Sequence, residues 1–173
     1  AALHAGHEVV LVSGPVALTP PVGCEVYHVE SSQEMLDVCL RLFPECDGAI
    51  GAAAVCDYRP MLRATGKIAK TGQPLQLELI ETTDVLAELG KIKGRRWLVA
   101  FALEASDGRR KALAKRHRKN CDAVVLNAPS AIGSPSNSVE LFDAADQSVA
   151  MWNGSKGDVA TELVTWIGKQ FGR

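Results

Sequence analysis

Three stretches of this 173-residue chain combine residue types and spacings that could handle a charged small molecule. In Gly51-Ala52-Ala53-Ala54-Val55-Cys56-Asp57, minimal side chains follow an apolar run and end on a carboxylate. Small residues at the carboxyl end of a strand let a ligand approach the backbone, and open α/β sheets bind ligands at that edge. Close helix-to-sheet packing accounts for the same glycine and alanines equally well, and Asp57 could simply cap the next turn. The second stretch, Gly66-Lys67-Ile68-Ala69-Lys70, puts two ammonium groups between glycines, where they could close over phosphates or remain solvated. The third, Arg109 to Lys119, holds seven formal positive charges in eleven residues. Lys111, Lys115 and Lys119 recur at i and i+4, a like-charge spacing that weakens a bare helix and that an anionic partner would relieve.

Other chemistries find less support. There is no G-x-x-x-x-G-K-[ST] and no G-x-G-x-x-G, so neither a P-loop nor a dinucleotide fingerprint is present. No G-x-S-x-G elbow occurs, and the four histidines lie near no nucleophile, which disfavours triad hydrolysis. Five scattered cysteines form no C-x-x-C pair, as expected of a reduced protein without a structural zinc. A net charge of -1 gives no global field to recruit nucleic acid or an anionic membrane, and the basic run lacks interleaved aromatics for stacking bases. No apolar run is long enough to span a bilayer, so a cytoplasmic protein is expected.

The elements that must position these residues follow from periodicity. Ala1 to Gly6 reads as the end of a helix closed by glycine. Apolar, β-branched runs predict strands at His7 to Val12, Glu25 to Val29, Gly48 to Val55, Leu75 to Ile80, Trp97 to Leu103 and Ala123 to Asn127. Helices are expected over Ser32 to Phe43, Thr83 to Lys91, Ser106 to Asn120, and Asp158 to Phe171 with its cap near Gly157-Asp158. Ser138 to Phe142 and Ser148 to Trp152 read as a hairpin, and residues 58–73 as a long lid loop. Alternating strands and helices make this an α/β chain, one domain over 1–173, with a mostly parallel sheet covered on both faces.

Taken together and in order, Leu11-Val12-Ser13-Gly14-Pro15-Val16, Ala53-Ala54-Val55-Cys56-Asp57-Tyr58-Arg59, Lys67-Ile68-Ala69-Lys70 and Lys115-Arg116-His117-Arg118-Lys119-Asn120 resemble the bacterial phosphopantothenoylcysteine synthetases (phosphopantothenate–cysteine ligases). The resemblance covers essentially the whole chain. It implies a Rossmann-like fold that dimerises, uses CTP with magnesium, and joins 4'-phosphopantothenate to cysteine through an acyl-nucleotide, often behind a flavin-dependent decarboxylase domain. Carried over residue by residue, it assigns Gly51, Ala52, Ala53 and Asp57 to the nucleotide site. Lys67 becomes the catalytic lid lysine, and Lys115 and Lys119 contact the outer phosphates. Thr82, Thr83, Asp84 and Val85 stand where the family has N-P-D-I, and Phe101 is the aromatic of a G-F-A-x-E-T-like segment. No residue is assigned to a metal.

The chain departs from the pattern at Ala69, which replaces a lid lysine, at Thr82-Thr83, and at Asn127-Ala128-Pro129-Ser130, which matches A-N-D-V loosely. The family's N-terminal glycine-rich strand-loop and its S-N-x-S-S-G segment, which binds phosphopantothenate, have no counterpart here. Two alternatives stand beside this reading. One is a nicotinamide- or flavin-dependent oxidoreductase whose glycine fingerprint lies upstream; the other is an inactive relic that folds and dimerises.

Overall fold

The computed structural model describes residues 1–172. Its first parallel pair, β1 (Val10–Ser13) and β2 (Glu25–His28), follows a short turn of 3-10 helix closed by Gly6 in the left-handed region at φ 83°. Helix α1 (Ser32–Leu42) begins at a reciprocal cap: Ser31 Oγ accepts from Glu34 N–H, and the Glu34 carboxylate accepts from Ser31 N–H. Then come β3 (Gly48–Gly51), β4 (Tyr58–Pro60), β5 (Leu79–Glu81), α2 (Val85–Ile92) and β6 (Trp97–Leu103). The chain continues through α3 (Gly108–Arg118), β7 (Ala123–Asn127), β8 (Ser136–Phe142), β9 (Ser148–Ser155) and α4 (Lys156–Phe171).

The central sheet has the order β3-β6-β7-β8-β9. The pairs β3–β6 and β6–β7 are parallel while β7–β8 and β8–β9 are antiparallel, so β3, β6, β7 and β9 run one way and β8 the other. Both faces are covered. Leu98, Ala100 and Ala102 of β6 join Val124, Phe142, Ala112 and Leu89 on the side of α2 and α3. Val99 joins Val125, Val139, Leu141, Val159, Leu163 and Ile167 under α4. Because successive side chains of β6 bury to opposite faces, its sequence is apolar throughout instead of alternating. Leu98, Val99, Val124, Val125, Leu141 and Phe142 lose all contact with solvent, each burial being worth about 1.5 to 3 kcal/mol.

Several expectations change, among them the strand over Gly48 to Val55, which stops at Gly51. Tyr58–Pro60, expected within the lid loop, pairs antiparallel with Leu79–Glu81, and the strand expected over Leu75 to Ile80 shortens to that pairing. A three-residue edge pair between segments some twenty residues apart has no local periodicity to announce it. Helix α4 starts at Lys156 because its cap is Ser155, whose Oγ accepts from Asp158 N–H at 3.1 Å while Asp158 accepts from Ser155 N–H at 3.1 Å. Serine and aspartate three residues apart thus form a capping box, two residues before the cap expected near Gly157-Asp158.

Candidate functional site

Strand β3 ends at Gly51 for a packing reason. A Cβ there would collide with the Leu86 side chain of α2, 2.7 Å from its Cγ, so a larger residue would require Leu86 to move. Ala52, Ala53 and Ala54 follow as exposed backbone. The segment is then tied to the approach to α2. Thr82 N–H donates to Asp57 O at 2.8 Å, and the Thr82 hydroxyl donates to Cys56 O at 2.5 Å. Among the residues expected to bind nucleotide, Gly51 and Thr82 are therefore occupied in joining two segments, whereas the Asp57 carboxylate and Thr83 are exposed. Asp84 caps α2, accepting from Ala87 N–H at 3.1 Å, and Val85 packs into the core behind it.

Helix α3 presents its lysines toward this edge. Side chains on a helix lean toward its N-terminus, here the end next to the carboxyl terminus of β6. Lys115 Nζ lies 2.6 Å from Glu104 Oε1, and Lys111 Nζ 3.9 Å from Glu104 Oε2. Lys119 Nζ lies 3.1 Å from Asp84 Oδ2, with Arg118 3.6 Å from the same oxygen. The i, i+4 lysine stripe is thus already matched by carboxylates from two other elements. The anionic partner that the charge pattern called for is supplied from within the chain.

On the other flank of α3, Arg116 is buried at 5% exposure. Its Nη2 and Nε donate to Asp146 Oδ1 at 2.7 and 3.2 Å, and Nη1 donates to Cys121 O at 3.1 Å. Hydrogen bonds from His117 and then Arg116 hold the Asp146 carboxyl below its ordinary range. Cys121, buried beneath this corner, has its thiol pushed up to about 11 by removal from water.

Two expected residues stand apart. Lys67 is exposed in the lid, with no ion pair among the described residues. Phe101 faces the α4 side of the sheet with Trp152 and Trp166, on the opposite face from α3. The open depression at the start of α3 is lined by Asp107, Gly108, Arg109, Arg110 and Leu113, none of them expected site residues. Glu104 was not among the expected site residues. A carboxylate closing the apolar run Trp97 to Leu103 was the available signal. Among the described residues no group of three or more His, Cys, Asp or Glu side chains could hold a metal ion, and no helix is long and apolar enough to cross a membrane.

The model for the DNA/pantothenate metabolism flavoprotein C-terminal domain matches residues 1–171. The chain is 38% identical over 173 residues to a cysteine/cysteine sulfinic acid decarboxylase of an unknown prokaryotic organism, covering 96% of this chain and 48% of that protein. It is 36% identical over 181 residues to the coenzyme A biosynthesis bifunctional protein CoaBC of Mycobacterium bovis, covering 96% and 43%. It therefore spans less than half the length of either relative. The crystal structure of the C-terminal domain of a coenzyme A biosynthesis bifunctional protein CoaBC superposes with a TM-score of 0.79 at 31% identity, covering 97% of this chain and 76% of that one. A match from the first residues to the last helix, with the same sheet and helix layers, means that this chain belongs to the DNA/pantothenate metabolism flavoprotein C-terminal domain family.

Proposed function

We propose that this chain is the nucleotide-binding part of a phosphopantothenate–cysteine ligase acting in coenzyme A biosynthesis in the cytoplasm. The observation that carries the reading is the lysine stripe Lys111, Lys115 and Lys119 lying along Glu104 and Asp84, in a family whose relatives include CoaBC. In the proposed reaction a carboxylate oxygen of 4'-phosphopantothenate attacks the α-phosphorus of CTP and pyrophosphate leaves. The cysteine amine then attacks the acyl carbon and releases CMP. Lys115 and Lys119 neutralise the outer phosphates, Lys67 arrives with the lid as the α-phosphate gains charge, and Asp57 with the Ala52-Ala53 backbone orients the nucleoside. Magnesium would be held mainly by phosphate and water rather than by protein side chains, and would supply charge neutralisation on the triphosphate.

The arm formed by β4, β5 and the intervening lid exposes Leu62, Ile68, Leu75, Leu77 and Leu79, an apolar surface that supports a homodimer in this reading. A flavin-dependent decarboxylase domain is the further partner, in the same polypeptide or as a separate chain. The decarboxylase relative motivates one competing reading, in which cysteine loses carbon dioxide without any nucleotide.

The test uses the full-length protein and follows pyrophosphate released from CTP with phosphopantothenate and cysteine. Lys67→Gln should slow turnover by at least about tenfold, equivalent to roughly 1.4 kcal/mol, with the circular dichroism spectrum unchanged. Release of carbon dioxide from cysteine with no pyrophosphate would replace the ligase by the decarboxylase.

A further inference from the structure

The phosphate lysines of this site are not free cations awaiting an anion. Glu104 directly follows β6, its N–H donating to Asn127 O at 3.1 Å, so its backbone is held by the neighbouring strand. Its side chain is only 11% exposed while Lys115 and Lys111 are 38% and 43% exposed. Gly108 narrows the turn above it, since a Cβ there would sit 3.6 Å from Glu104 Cβ and 3.2 Å from Leu126 Cδ1. The carboxylate is therefore the fixed member of the pair and the ammonium the mobile one. At Asp84 only the anchoring is similar, Oδ1 held by the α2 cap and Oδ2 by Lys119, because there the lysine is the less exposed partner.

A triphosphate that draws Lys115 away leaves the Glu104 carboxylate largely out of water, without its closest cation and beside new negative charge. Stranding one partner of such a pair is costly, and like charges in a poorly solvated site repel strongly. Resting on the ligase reading above, we infer that Glu104 is a built-in counterion that competes with nucleotide phosphates for Lys115, so that triphosphate gains full hold of the lysine stripe only when a divalent cation offsets the carboxylate. Glu104 is in this sense a positioning residue that makes the site select cation-bound triphosphate over the bare anion.

Calorimetric titration of the full-length protein with CTP and CMP, in magnesium and in EDTA, tests this directly. In EDTA the unaltered protein should bind CTP no more than about threefold more tightly than CMP, and magnesium should strengthen CTP binding alone. Glu104→Gln keeps the shape and removes the charge. It should tighten CTP binding in EDTA by about tenfold, the worth of one freed charge-assisted contact, shrink the magnesium effect by the same factor and leave CMP unchanged. CTP binding in EDTA that is equal or weaker in Glu104→Gln overturns the inference. So does CTP binding far tighter than CMP in EDTA by the unaltered protein, a comparison that needs no variant to fold. Lys115→Gln separates the two levels. If it leaves CTP binding untouched, the assignment of Lys115 to phosphate fails; if it weakens CTP while Glu104→Gln does not strengthen it, the ligase reading stands and Glu104 alone is wrong.

Discussion

Gly90 offers a substitution whose sign separates local propensity from tertiary packing. It lies buried inside α2, where an alanine should be favourable by about 1 kcal/mol on intrinsic helix preference. Its missing side chain, however, lets the end of α3 come in. A Cβ at Gly90 would overlap the Lys119 carbonyl oxygen, lie 3.0 Å from the carbonyl carbon and 3.2 Å from Asn120 Cβ. Carbon atoms in good contact stand about 3.5 to 4.0 Å apart, so the two backbones must separate by at least several tenths of an ångström. Neither can swing aside as a side-chain tip would. The same contact holds the Asn120 Nδ2 to Gly90 O hydrogen bond of 2.8 Å, with Asn120 itself in the left-handed region at φ 52°. Overpacking of this kind costs about 1 to 3 kcal/mol, and a weakened hydrogen bond adds about 1. Set against the propensity gain, Gly90→Ala should be net destabilising by roughly 2 kcal/mol, a fall in Tm of about 4 to 8 °C for a chain of this size. Calorimetric melting provides the measurement, with Gly168→Ala as the internal control: that residue lies inside α4, a Cβ there meets nothing within 4 Å, and Tm should rise by about 2 to 4 °C. A Gly90→Ala melting temperature equal to or above that of the unaltered protein would refute the close-approach reasoning.

The remaining predictions concern the carboxylates and thiols around α3. Asp84→Ala should cost about 1 kcal/mol through loss of the α2 cap whereas Asp84→Asn, which still caps, should cost less than about half that, so equal losses in urea titration would remove the cap from the account. Asp146 is held below its ordinary range by His117 and Arg116, so its contribution to stability is present above the ordinary carboxylate value and is lost as pH falls through the lowered one. Asp146→Asn should accordingly melt lower than the unaltered protein at neutral pH, with the gap closing in acid; a gap independent of pH would disprove the charge pairing. Burial raises the Cys121 thiol to about 11, so its neutral form stabilises the fold below the ordinary thiol value, and that contribution is lost as pH rises toward 11. Peptide mapping after iodoacetamide treatment at pH 8 should show the exposed Cys56 alkylated well before Cys121, and the reverse order would contradict the packing.

How much of this was legible beforehand depended on whether a residue's environment was written nearby in the chain. Trp97–Leu103 and Ala123–Asn127 were expected with the boundaries observed, because a strand covered on both faces must be apolar at every position. The helix over Ser106 to Asn120 was foreseen but narrowed to Gly108–Arg118, since Asp107 turns into the left-handed region at φ 52° before the helix begins. At Gly51 the Leu86 contact supports the packing reading, while the exposed Ala52 and Ala53 leave the strand edge accessible. What no local pattern revealed was pairing at a distance. Tyr58 opposite Glu81, Lys119 beside Asp84 and Arg116 on Asp146 each join segments that only the finished topology brings together.

The basic helix shows why charge counting alone could not separate its residues. Arg116 is buried because a planar guanidinium can satisfy an aspartate through two nitrogens and a backbone carbonyl through a third, which an ammonium at that depth could not do. That fork fixes the roll of α3 against the turn between β8 and β9. Once the roll is fixed, positions 111, 115 and 119 share a stripe about a quarter-turn from Arg116, and there lysines are the better choice. Each is a compact charge on a flexible stem, partly solvated and paired with a carboxylate of another element. Had arginine stood at 115, a bidentate hold on Glu104 would make the resting pair harder to break; had lysine stood at 116, the helix would lose the anchor that aims the stripe. The order Lys115-Arg116 therefore sets two different jobs on adjacent residues, one anchoring the helix and the other, in the proposed reading, exchanging Glu104 for a phosphate.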